Sequence, residues 1–244
     1  MALFSILYWS FFAISLPFWW VPQVVLFVLA FPFDRRRVLT HLYACLWGVS
    51  YVWLNPFWRI TVTGREKLPW KGAAVIAANH LSLLDILVLY GLFRPYKWVS
   101  KDSIFRIPFI GWNMRMNDYV AIRRGDRESI KEMMNHCRAH LAAETPILIF
   151  PEGTRSPDGV LQDFRNGAFK LAIEAGCPVI PVAVSGTYHG LPKHGFWLRN
   201  RMHARVKVLD PIHPADHGDD LQALLRATHA AIAAELPVEA QPAG

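Results

Sequence analysis

The sequence predicts an α/β fold, a mixed sheet with flanking helices, preceded by an N-terminal membrane helical hairpin. Three observations carry this expectation. The chain has 244 residues, enough for one domain with a core plus an appendage. Its apolar excess is uneven: 53% of residues are hydrophobic and 18% charged, yet none of the charged ones precedes Asp34. From residue 59 onward, short β-type runs alternate with helical ones, the pattern of a layered α/β domain.

The first apolar run, 1–33, is long enough to cross a bilayer, for which about 20 apolar residues suffice. It lacks the basic start and small-residue cleavage site of a signal peptide. Pro17 and Pro22 are expected to kink or divide it. A second apolar stretch covers 38–58, and Asp34-Arg35-Arg36-Arg37 lies between the two. Arginines beside an apolar helix favour the cytoplasmic face and anionic lipid, the inner membrane in a bacterium. The expected domains are a membrane-embedded hairpin over 1–58, an α/β domain over 59–236 and a flexible tail over 237–244. Spanning and one-leaflet arrangements of the hairpin both stay open.

Within the domain, strands are expected at 59–64, 73–78, 119–122, 146–150, 179–184 and 205–209. Helices are expected at 82–93, 126–141, 166–175 and 219–236. Asp126 suits an N-cap and Gly176 a helix stop. The net charge of +7 admits nucleic acid, anionic lipid or a phosphorylated substrate as partner. Ten tryptophans, many of them early, favour a membrane interface, and no basic run carries the interleaving of a nucleic-acid reader. Cys45, Cys137 and Cys177 are far apart and show neither disulfide nor zinc spacing, so they read as buried small hydrophobes.

Four segments can carry chemistry. Asn79-His80-Leu81-Ser82-Leu83-Leu84-Asp85 follows a short strand. Ser82 and Asp85 match the capping-box pattern, which places Asp85 in the first turn of a helix with His80 just outside it. The preceding loop can then fold His80 back onto the carboxylate as a base with its orienter. A capping role for Asp85 with an uninvolved loop histidine, or metal ligation, fits the same letters. Phe150-Pro151-Glu152-Gly153-Thr154-Arg155-Ser156 leaves a buried-type strand with a tight turn, two hydroxyls and a guanidinium suited to phosphate, or is an ordinary polar turn. Tyr119-Val120-Ala121-Ile122-Arg123-Arg124 brings two arginines off a strand, facing a phosphate together or lying on the surface. Val179-Ile180-Pro181-Val182 reads as a strand whose proline marks an edge or a bulge.

In this order, and with the linking segments KDSIFRIP and FRNGAFK, these motifs resemble those of the glycerolipid acyltransferases of the 1-acylglycerol-3-phosphate acyltransferase type. The likeness covers 34–210, and NHLSLLD and FPEGTRS are its specific parts. The resemblance implies transfer of a fatty acyl chain from acyl-CoA or acyl carrier protein to the sn-2 hydroxyl of 1-acylglycerol-3-phosphate, giving phosphatidic acid, with no cofactor and no metal. It implies His80 as general base and Asp85 as its orienter. Asn79, Ser82, Lys101, Arg124, Glu152, Gly153, Thr154 and Arg155 fall to substrate binding, and Pro181 to the acyl-donor side. The chain departs from the family at Asp118, where glycine is usual, and at Arg123, where a small or acidic residue is. Another lysolipid acceptor such as a lyso-ornithine lipid, a thioesterase, or a non-catalytic lipid-binding protein are the alternatives. The chain has no G-x-S-x-G elbow, which speaks against a serine hydrolase.

Overall fold

A computed structural model describes residues 2–193, 195–199 and 201–241. Two helices, α1 (Ala2–Ala30) and α2 (Val38–Trp53), lead into β1 (Trp58–Thr63), β2 (Val75–Ala78), α3 (Leu84–Leu89), β3 (Lys97–Lys101), α4 (Ile110–Met116) and β4 (Val120–Ile122). There follow α5 (Arg127–Ala142), β5 (Ile147–Ile149), α6 (Gly167–Glu174), β6 (Val179–Ser185), α7 (Thr187–Gly190), β7 (Met202–Val208) and α8 (Leu221–Glu235).

The sheet runs β1-β7-β6-β2-β5-β3-β4. Strands β6, β2, β5, β3 and β4 are mutually parallel, β7 is antiparallel to β6, and β1 is parallel to β7. Every residue of β2 is buried, as expected of a central parallel strand covered on both faces. Its side chains alternate between two cores. Ile76 and Ala78 join residues of α2 and α3, while Val75 and Ala77 join those of α5, α6 and α8.

The expected helices and strands are present, with shifts of a few residues at their ends. Three further elements escape the periodicity. Strand β3 begins with a lysine, Lys97, that is almost fully buried, because its Nζ donates to Arg36 O (2.9 Å) and Asn117 O (2.6 Å). The short helices α4 and α7 have too few turns to show a period.

Pro181 is on no edge. It lies in β6 opposite Ala77 of β2, with β7 on the other side. Its carbonyl accepts from Leu209 N, so its missing N–H faces that same side. There the β6–β7 pairing ends, and the chain slips by one residue before Val179 meets Ile212. The irregular pairing accommodates a proline inside a sheet.

The segment 1–58 folds as two helices that differ in kind. α2 buries Ala44, Cys45, Trp47, Val49, Tyr51 and Val52 and belongs to the domain's core. α1 is the only helix among the described residues long and apolar enough to cross a membrane. Pro17 and Pro22 do not divide it. Side chains along its length dock on the domain: Leu198 N donates to Ser5 Oγ (2.8 Å), Tyr8 Oη to Tyr51 O (3.3 Å) and Gln23 Nε2 to Asn113 Oδ1 (2.8 Å). Anchorage at several points holds a helix that lacks two of its backbone bonds.

The tail is partly docked. Leu161 N donates to Ala240 O (3.0 Å) and Ala240 is buried, whereas 242–244 lie outside the described residues. All three cysteines are free and buried.

Candidate active site

The five parallel strands place their carboxyl ends along one edge of the sheet, where α/β proteins bind ligands. The chain leaves β2 into Asn79 and His80, β5 into Pro151 and Glu152, β6 into Gly186 and Thr187, and β4 into Arg123 and Arg124, while Lys101 ends β3. Residues scattered from 79 to 187 are thereby brought to one edge.

His80 Nδ1 lies 2.8 Å from Asp85 Oδ2. The same oxygen accepts from Leu81 N (2.7 Å) and Ser82 N (2.8 Å), and Oδ1 accepts from Thr187 Oγ1 (2.5 Å). Asp85 is completely buried. A carboxylate only accepts, so Nδ1 carries the imidazole proton and Nε2 keeps a lone pair. The ring is stacked on Phe150, with centroids 3.9 Å apart and planes 11° from parallel.

The two readings of Asp85 merge. Ser82 N donates to its carboxylate, one half of a capping box, and Leu84 N, rather than Asp85 N, donates to Ser82 Oγ (3.2 Å), with the regular helix starting at Leu84. The helix start is what fixes the carboxylate beside His80.

Several residues expected to bind substrate make bonds within the protein. Glu152 Oε1 accepts from His80 N (2.6 Å) and Oε2 from Gln162 N (3.2 Å), so both oxygens are spent on backbone. Burial pushes its carboxyl up to about 8. Ser156 N donates to His80 O (2.8 Å), a second clamp on the same residue. Asn79 exchanges two bonds with Val184, joining β2 to β6, and Ser82 Oγ donates to Leu191 O (2.6 Å). Gly153 has φ +74°, a backbone conformation that favours glycine, and a Cβ there would push the Arg165 side chain aside, its Nε being 2.7 Å away. Thr154 is half-buried in the same turn.

The cations divide. Arg124, Arg155 and Arg165 lie close enough to repel. Burial first, and then Arg165 and Arg155, lower the Arg124 pKa. Arg123 turns away to Asp126 (3.4 Å), so the two arginines leaving β4 do not act together. Lys101 is exposed at the same sheet edge, and Pro181 lies inside the sheet, three residues upstream of the edge in register with Ala77. Thr187 and Arg165 are the residues that motif reading missed. The available signal for Thr187 was its place just after a buried strand and the glycine, Gly186, that follows it.

The arrangement provides a base with an anchored tautomer, and a group of guanidinium charges along the same edge. It fits removal of a proton from a hydroxyl whose owner carries a phosphate.

The Acyltransferase family model matches residues 59–185, more than half of the chain. The 1-acyl-sn-glycerol-3-phosphate acyltransferase of Chlamydomonas reinhardtii is 38% identical over 95% of this chain and 68% of its own length. That of Pseudomonas aeruginosa is 31% identical over 75% of this chain and 71% of its own. A chloroplastic enzyme of the same name from Arabidopsis thaliana is 37% identical, and the match spans 54% of its length. The crystal structure of the 1-acyl-sn-glycerophosphate acyltransferase of Thermotoga maritima shares the fold, with a TM-score of 0.78 over 95% of this chain and 92% of that one, at 23% identity.

Proposed function

We propose a reaction for this chain from an established premise, that it belongs to the acyltransferase family. It transfers a fatty acyl group from a phosphopantetheine thioester, acyl-CoA or acyl carrier protein, to the free hydroxyl of 1-acylglycerol-3-phosphate, giving phosphatidic acid. The observation that carries this reading is the His80–Asp85 pair with its free Nε2, set at the sheet edge that also holds Arg124, Arg155 and Arg165.

His80 Nε2 takes the hydroxyl proton as the oxygen attacks the thioester carbonyl. Asp85 stabilises the imidazolium and is itself held by Leu81 N, Ser82 N and Thr187. The tetrahedral intermediate collapses by losing the thiolate, which recovers the proton from His80. Arg124 and Arg155, with Arg165 and Lys101, hold the acceptor phosphate and so select which hydroxyl meets the base. Glu152 and Asn79 are positioning residues. Pro181 shapes the donor side through the β6–β7 irregularity beneath the edge.

The exposed residues of α1 include Leu3, Leu7, Phe11, Ile14, Phe18, Val21, Val25 and Val28, an unbroken stripe at three- and four-residue spacing. The opposite side is bonded to the domain. This supports a helix held to the domain on one side with its apolar stripe in lipid, and the arginines of Asp34–Arg37 beside it favour the cytoplasmic face for the site.

An acceptor panel tests the reaction. Purified protein with labelled oleoyl-CoA is offered lysophosphatidic acid, lyso-ornithine lipid, other lysophospholipids or nothing. Preferential acylation of lysophosphatidic acid is expected. Preference for another acceptor overturns the substrate, free fatty acid without acceptor indicates a thioesterase, and no turnover with any donor indicates a lipid-binding protein.

A further inference from the structure

A second histidine–carboxylate cluster lies at the opposite edge of the sheet. Asp118 precedes β4, whereas Arg124 follows it. Asp118 adopts a left-handed backbone, φ 56°, which aspartate tolerates better than most residues. It aims its carboxylate at α5, where His136 and His140 stand one turn apart on one face. His136 Nε2 is 3.2 Å from Oδ1 and His140 Nε2 is 3.6 Å from Oδ2. The three donor atoms all lie within 4.8 Å of one another.

We propose that Asp118, His136 and His140 form a binding site for a zinc-like first-row divalent metal. Ligands at the usual zinc distances around a tetrahedral ion stand about 3.4 Å apart, close to the two histidine–carboxylate separations of 3.2 and 3.6 Å. Two imidazoles and one carboxylate suit zinc and its neighbours and not magnesium or calcium. The fourth position opens into a cavity of about 260 Å³ whose lining includes Lys97, Ala139, Ala143 and Thr145, room for a water ligand. Coordination replaces the contact of His140 Nε2 with Asp118 O, now 3.0 Å. Arg35, Arg36 and Lys97 also border this cavity. Their charge weakens the site for any cation, although Lys97 Nζ is bound to the carbonyls of Arg36 and Asn117. The ion would tie α5 to the turn that starts β4. It lies at the opposite end of the parallel strands from His80, and β4 is three strands across from β2, so its role is to stabilise.

The test uses the full-length, tag-free protein in detergent, stripped with EDTA and dialysed. Zinc chloride is titrated calorimetrically, with magnesium as control, and Tm is followed. One equivalent of zinc, a raised Tm and no magnesium response are expected. Asp118→Asn and the His136→Ala/His140→Ala pair should weaken zinc binding at least tenfold, about the minimum lost when even a supporting group is removed. His136→Gln, at a half-exposed position, repeats the test should the double variant fail to fold. Equal zinc binding in wild type and variants, or none in wild type, shows only a hydrogen-bonded ion pair and overturns the site.

Discussion

His80–Asp85 and His136–Asp118 are both histidine–carboxylate pairs, at 2.8 Å and 3.2 Å, on opposite edges of one sheet. They differ in what surrounds the carboxylate. Asp85 is fully buried and receives four donors, three of them besides the histidine. Asp118 is half-exposed, is shared between two imidazoles, and is held down to about 2, chiefly by the His136 hydrogen bond. At the first pair the imidazole keeps one nitrogen for substrate. At the second, the Nε2 atoms of both rings point at the carboxylate. Proximity of His and Asp therefore does not make a base; a saturated, immobile carboxylate and an uncommitted Nε2 do.

Breaking the orienting side has the largest effect in this comparison. Asp85→Asn presents an amide where the imidazole N–H needs an acceptor, and kcat is expected to fall by about 10²–10⁴-fold with little change in KM. The corresponding change at the other edge, Asp118→Asn, leaves kcat within a factor of about two, as a position remote from the reacting atoms should. Steady-state kinetics on both variants reads the contrast.

Thr187→Val tests the saturation of Asp85. It strips one donor from a buried acceptor, with an expected cost of about 1–3 kcal/mol in stability by denaturant unfolding. It also lowers kcat by about tenfold as the carboxylate loosens. Unchanged stability and rate would remove Thr187 from the account.

Arg165→Ala raises KM for lysophosphatidic acid by about tenfold, the scale of one charge-assisted bond at an exposed site, with kcat nearly preserved. Arg123→Ala, which loses only the Asp126 pair, leaves KM unchanged.

The smallest effect is one of pH. The folded Glu152 carboxyl is raised by burial to about 8 from its ordinary 4.5, so the folded protein retains a proton that the unfolded chain releases. That stabilisation is complete below about pH 4.5 and is lost as pH rises through about 8. Glu152→Gln should flatten this part of the stability profile in urea melts at a series of pH values.

Much of the chemistry was legible because short motifs carry it. His80, Ser82 and Asp85 lie within six residues, and their local bonds are those of a helix start. The partners that complete the site come from far along the chain: Thr187 is 102 residues from Asp85, and Glu152 is 72 from His80. The motif flagged Glu152 but could not show that its oxygens face His80 and Gln162 backbone. Hydropathy treated α1 and α2 alike, because lipid and protein core ask for the same residues; only packing separates an exposed stripe from a buried helix. Pro181 reads as an edge or a bulge, and the sequence cannot choose between them because the irregular pairing involves Leu209, 28 residues later.

The most direct test of the central claim is formation of labelled phosphatidic acid from oleoyl-CoA and lysophosphatidic acid by wild type, His80→Ala and His136→Ala side by side. Loss of about 10²–10⁴-fold in His80→Ala, with His136→Ala close to wild type, is expected. A His80→Ala variant that keeps a substantial part of wild-type turnover would contradict the assignment of His80 as the base.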